Sequence, residues 1–163
     1  MNRDAAYVEF VAARQDHLRR VAFAVAGDWH TADDILQTAL LKLYYAWPRI
    51  REDGNPEAYA RRIIMRCDVD RRRKPWRRER PSEHLPDRPA AATSDPEERS
   101  ALFDALQTLP VQQRKVVVLR HWLGLSVRET ATELGISEGT VKSHSSRGLA
   151  SLERFLEPQR TPD

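Results

Sequence analysis

Residues 125–155, LSVRETATELGISEGTVKSHSSRGLASLERF, carry the signals of two short helices joined by a tight corner. Ser126 can cap the first helix while Glu129, three residues on, returns a hydrogen bond to the Ser126 amide in a capping box. Val127, Ala131 and Leu134 then recur at i, i+4 and i+7, a single buried stripe. Gly135 readily takes the left-handed conformation that ends a helix, Ile136 can plug the corner, and Ser137 caps the next helix. On a wheel of about 100° per residue, Val141, Leu149, Leu152 and Leu156 fall on one side of that second helix. Gly139, Lys142, Ser143, Ser146, Arg147 and Ala150 share the other. A small, polar, basic face of this kind suits the major groove, because short side chains permit close approach while Lys and Arg reach guanine edges or phosphates. An ordinary helical hairpin with a solvated face is the bland alternative.

Outward from this motif the chain reads as helices throughout. Tyr7 to Ala26 repeats Phe10, Val11, Leu18, Val21, Ala22 and Val25 at helical spacing, and Gly27 can end the helix. A second helix is predicted from about Thr31, whose spacing to Asp34 resembles a capping box, to Trp47, where Pro48 stops it. A third starts at Asn55 and Pro56 and runs into a basic block. Residues 61 to 80, RRIIMRCDVDRRRKPWRRER, hold ten basic residues against Asp68, Asp70 and Glu79, whereas the net charge of the whole chain is only +3. Charge this concentrated marks a nucleic-acid surface, although such a run can also be a solvated tail or a localisation signal; the interleaved Ile63, Ile64, Val69 and Trp76 argue for an ordered helix with one buried side. Residues 81–95 are rich in proline and acids and read as a linker. Ser94 or Asp95, then Pro96, Glu97 and Glu98, form a helix start.

Composition bounds the rest. A chain of 163 residues with 40% hydrophobic content is expected to form two small helical domains rather than one thick core. The expected fold is therefore all-α, with a helical domain over residues 1–80, a flexible Pro-rich linker over 81–95, a helix-turn-helix domain over 96–157 and a tail over 158–163. Cys67 stands alone, so no internal disulfide is available and a reducing cytoplasm is expected. No apolar run reaches the roughly 20 residues of a membrane span, and the start MNRDAAYVEF lacks a signal peptide's apolar core. Catalysis has little support. His17, His30, His84, His121 and His144 are scattered, no HExxH or CxxC spacing occurs, and neither a phosphate-binding glycine loop nor a nucleophile elbow is present. No catalytic residue, metal site or cofactor is expected.

Taken in order, ADDILQTALLKLYYAW, the third helix with its Arg-rich segment, the proline-rich linker, and LPVQQRKVVVLRHWLGLSVRETATELGISEGTVKSHSSRGLASL resemble a bacterial extracytoplasmic-function sigma factor of the sigma-70 family. The resemblance runs from about Tyr7 to Leu156. It implies that Lys142, Ser143, Ser146 and Arg147 contact the −35 promoter element. By the same resemblance Arg66, Arg71, Arg72, Arg73, Lys74, Trp76, Arg77 and Arg78 belong to the segment that melts and captures the −10 element. Trp76 can stack on DNA or pack inward. The sequence departs from the family pattern at Arg66, where an asparagine is usual, and at Ser145 and Ser146, where larger apolar residues are common. Asp33, Asp34 and Gln37 match the helix placed against the clamp helices of core RNA polymerase; on residue chemistry alone, the two acids could merely complement a helix dipole. The implied partners are core polymerase, at its clamp helices and flap, and promoter DNA, without membrane insertion; an anti-sigma partner is left open. The rival reading is a stand-alone helix-turn-helix regulator, which would be expected to dimerise on a palindrome.

Overall fold

The computed structural model describes residues 2–67, 69 and 96–157, and all regular structure among them is helical. The expected linker, the tail and most of the basic block, including Arg71, Arg72, Arg73, Lys74, Trp76, Arg77 and Arg78, lie outside the described residues.

The first half is a helical hairpin closed by a third helix. Helix α1, Arg3–Ala26, is capped by Asn2, whose side chain accepts from the Ala5 amide at 2.8 Å. It ends at Gly27 with φ 85°, and the Gly27 amide donates to the Phe23 carbonyl. Helix α2, Trp29–Asp53, starts earlier than the sequence suggests: the cap is Asp28, whose carboxylate accepts from the Thr31 amide at 2.7 Å. Thr31 is therefore inside the first turn and buried.

Nor does Pro48 stop α2, which continues for five residues beyond it. A proline inside a helix deprives the carbonyl four residues back of its donor. That carbonyl belongs to Tyr44, and the Arg3 guanidinium of α1 donates to it at 3.2 Å. Arg3 also lies over the Tyr44 ring, and Tyr7 packs edge-on against Tyr44 and Trp47. A tertiary contact thus supplies what the local sequence removes. Helix α3, Pro56–Arg66, follows the expected start, with Asn55 accepting from the Ala58 amide at 3.2 Å and Pro56 at the first position. Leu18, Val21 and Val25 of α1, Ile35, Leu36 and Leu43 of α2 and Ile64 of α3 form the fully buried centre.

The second half comprises α4, Pro96–Gln107, α5, Val111–Val117, α6, Val127–Leu134, and α7, Glu138–Leu156. Residues Val118–Trp122 prolong α5 as one π-helical turn, in which the Leu123 amide reaches the Val118 carbonyl at 3.0 Å. Gly124, at φ 74°, reverses the chain after it. Arg114 is 4% exposed and holds this half together from inside. Its guanidinium donates to the carbonyls of Leu106, Gln107 and Leu109, placing a positive charge on the unsatisfied end of α4, where the helix dipole is negative.

The two halves abut. Arg114 reaches past its own half to donate to the Val25 carbonyl, and Gln107 donates to Ala24 at 2.9 Å. Phe103 of α4 meets Phe23 of α1 edge-on at 5.1 Å. Most buried apolar residues of α1 to α3 join Ala105, Leu106, Leu109, Val117, Val118, Leu119, Leu125 and Leu152 of the second half in one cluster, a junction that separate helical periodicities do not announce.

Candidate nucleic-acid interface

Helices α6 and α7 form the helix-turn-helix with the caps expected of them. The Glu129 amide donates to the Ser126 hydroxyl and the Ser126 amide donates to the Glu129 carboxylate, both at 3.0 Å. Those bonds hold the Glu129 carboxyl below its ordinary pKa, the backbone amide contributing most. A depressed carboxylate adds stability above its unfolded pKa and loses it as pH falls, so this cap weakens only in acid. Gly135 takes φ 67°, and the Ile136 amide closes the corner onto the Ala131 carbonyl at 3.1 Å. Ser137 caps α7 by accepting from the Thr140 amide. Val116, Ala131 and Val141, flanked by Val127, Leu134 and Ile136, make a small core that fixes the angle between the helices.

On α7, Gly139, Lys142, Ser146, Arg147 and Ala150 are exposed and Ser143 is half-buried, so Lys142, Ser143, Ser146 and Arg147 come together on one outer face. The inner face differs in one respect from the expected stripe. Leu149 is 40% exposed, whereas Gly148 is buried. At about 100° per residue Leu149 lies some 80° from Val141, at the margin, while Gly148 lies within about 20° of it. A Cβ on Gly148 would stand 2.7 Å from Val117 Cγ2, so glycine permits α7 to seat against α5. Ser145 pairs with His121, with 2.8 Å between its hydroxyl and Nε2. Burial and then the neighbouring Arg120 hold the His121 pKa below its ordinary value, so the ring is neutral at pH 7.

The second cationic surface lies where α2 meets α3. Thr38, Lys42, Tyr59, Arg62, Ile63, Arg66 and Cys67 line a cleft of about 440 Å³. Arg66 thus joins Arg62 of the same basic block with Lys42 and the Tyr59 ring, two residues that charge clustering alone did not place with it. Its Nε also donates to the Glu133 carbonyl of α6 at 3.2 Å.

On the outer side of α2 the three expected polymerase contacts part company. Asp33 is tied to α1 by two hydrogen bonds from Arg19, at 2.7 and 3.3 Å, and Arg19 in turn lies over the Trp29 ring. Asp34 is half-buried and Gln37 exposed. Beyond them stand Leu41 and Tyr45, 56% and 73% exposed, which sequence reasoning passed over. Gln37, Leu41 and Tyr45 recur every four residues, so the signal was present as apolar positions lying off the buried stripe. Among the described residues no group of His, Cys, Asp or Glu comes together to hold a metal, and no helix is long and apolar enough to cross a membrane.

Two family models match the chain: Sigma-70 region 2 over residues 10–78 and Sigma-70, region 4 over residues 99–152. The RNA polymerase sigma-E factor of Streptomyces coelicolor is 42% identical over 92% of this chain and 85% of its own length. The ECF RNA polymerase sigma factor SigM of Mycobacterium tuberculosis is 36% identical over 85% of this chain and 71% of its own. In fold, the chain is similar to the sigma factor RpoE of Bartonella quintana, crystallised with the anti-sigma factor NepR. The TM-score is 0.71 at 23% identity, covering 95% of this chain and 99% of that one. With helices capped as a helix-turn-helix in the second match and a three-helix unit with a cationic cleft in the first, the chain belongs to the extracytoplasmic-function sigma factors of the sigma-70 family.

Proposed function

We propose that this sigma factor, which directs core RNA polymerase to promoters in transcription initiation, divides the task between its halves as follows. Helix α7 enters the major groove of the −35 element. Lys142 and Arg147 supply the long cationic side chains, and Gly139, Ser143, Ser146 and Ala150 keep the surface low enough for them to reach base edges. The observation that carries this reading is the joint exposure of Gly139, Lys142, Ser146, Arg147 and Ala150, with Ser143 half-buried among them, on one face of a helix whose opposite face is anchored by Val141, Gly148 and Leu152.

The cleft at α2 and α3 receives the −10 strand. Opening a duplex costs stacking and pairing free energy, which an enclosed unstacked base and backbone-tracking cations can offset. Tyr59 and Ile63 offer an apolar wall, with Lys42, Arg62 and Arg66 around it. Arg71, Arg72, Arg73, Lys74, Arg77 and Arg78 continue the track along the phosphates, with Trp76 beside them. Asp34, Gln37, Leu41 and Tyr45 present the polymerase-binding face of α2 to the clamp helices, and the helix-turn-helix half meets the flap. Asp33 acts through the hairpin, by holding α1 to α2. The chain performs no chemistry of its own, works in the cytoplasm beside the polymerase, and is open to control by an anti-sigma protein.

Promoter binding by the holoenzyme tests the α7 assignment. Lys142→Ala and Arg147→Ala are each expected to weaken binding to −35-bearing DNA by about 1 to 3 kcal/mol, with unchanged affinity for core polymerase. An equal loss on unrelated DNA would reduce these residues to phosphate contacts, and no loss on any DNA would remove α7 from the interface.

A further inference from the structure

Three arginines of the first half are neutralised in place: Arg14 by Glu57, Arg19 by Asp33 and Arg61 by Glu133. The cations of the α2–α3 cleft are not. Lys42, Arg62 and Arg66 line it together, and among the described residues no carboxylate lies within ion-pair distance of any of the three. Arg66 commits only its Nε, to the Glu133 carbonyl at 3.2 Å, so its two terminal nitrogens are left to form a fork. Tyr59 and Ile63 supply the apolar wall, and the Thr38 hydroxyl donates its proton to the Asp34 carbonyl at 3.1 Å. The cleft's about 440 Å³ falls in the range of roughly 300 to 1,000 Å³ usual for ligand pockets.

Such a lining discriminates between bases. Lysine and arginine donate hydrogen bonds and accept none, and no carboxylate or amide side chain lines the cleft, so a base amino group set against the cations would meet donor with donor. Guanine avoids this. It presents two adjacent acceptors, N7 and O6, that take a guanidinium fork, whereas adenine carries its N6 amino group beside N7. An unpaired cytosine also offers neighbouring acceptors, but its smaller ring covers less of the Tyr59 face. Asparagine, the residue usual at position 66 in the family, has the opposite preference, because its amide both donates and accepts and so matches N6 and N7 of adenine.

We propose that the cleft captures an unpaired guanine of the −10 strand, with N7 and O6 held by the Arg66 guanidinium, the ring stacked on Tyr59, and Lys42 and Arg62 on the flanking phosphates. The inference rests on the −10 assignment given above and adds to it the identity of the base. Arg66 is thereby the specificity-determining residue of the first half.

The test uses holoenzyme reconstituted from the full chain and core polymerase. It is offered a promoter fragment carrying one of its own mapped starts, with the non-template positions around −10 unpaired and randomised, and the bound molecules are sequenced. Guanine is expected at one position, enriched over adenine by about tenfold or more. Replacing it with 7-deazaguanine, which lacks only the N7 acceptor, should weaken binding by about fivefold or more. Holoenzyme carrying Arg66→Asn should favour adenine at the same position. A wild type that favours cytosine or adenine there, an undiminished affinity for 7-deazaguanine, or an Arg66→Asn protein that still favours guanine would each overturn the guanine contact. The 7-deazaguanine arm needs no variant, so it decides the matter even where Arg66→Asn does not fold. The two readings fail differently. A base preference that ignores Arg66 sinks the guanine contact and leaves the −10 assignment standing, whereas no preference at any position removes the cleft from −10 recognition and the guanine contact with it.

Discussion

Arg114→Met is expected to destabilise the protein by about 3 to 5 kcal/mol, measured as a shift in the urea midpoint with the slope unchanged. The arginine is buried and donates to the carbonyls of Val25, Leu106, Gln107 and Leu109. Methionine fills comparable space but donates nothing, so those carbonyls lose their donor in a setting that water reaches poorly. Each buried group left unsatisfied costs about 1 to 3 kcal/mol, which makes the polar loss outweigh any gain from a more apolar side chain. Against a typical domain stability of about 5 to 15 kcal/mol, such a loss leaves a marginal fold. A change below about 1 kcal/mol would mean that the carbonyls find other donors and that Arg114 is not the internal tie described here.

The largest effect on association is expected from Leu41→Glu combined with Tyr45→Glu. These side chains are 56% and 73% exposed, so folding should be nearly indifferent to the change, whereas a docking helix depends on its apolar anchors. Core polymerase affinity should fall by at least about 2 kcal/mol, roughly thirtyfold, with binding of the −35 duplex by α7 unaltered. Asp34→Ala with Gln37→Ala on the same face should give a smaller loss in the same direction. Undiminished polymerase binding by the glutamate variant would take α2 out of that interface.

What the sequence made legible was local. The capping box at Ser126 and Glu129, the left-handed Gly27 and Gly135, and the Asn55–Pro56 start each satisfy backbone groups within a few residues, so their chemistry is visible in the string. The exposed face of Lys142, Ser146 and Arg147 followed from periodicity alone. What escaped depends on partners distant in the chain. Pro48 sits inside a helix because Arg3 takes over the carbonyl it strands. Asp33 is held by Arg19. Leu149 yields the inner face to Gly148 because Val117 stands opposite. The ion pair between Arg61 of α3 and Glu133 of α6 lies further still from any local signal, since the two residues are 72 apart.

In vitro transcription tests the central claim most directly: purified protein is added to sigma-free core polymerase from the same source on genomic template, and the transcript starts are sequenced. Defined starts that share two upstream elements, and that vanish without the protein, are the expected result. A silent polymerase, with the protein alone still binding a specific palindromic duplex, would contradict it and make the chain a stand-alone regulator.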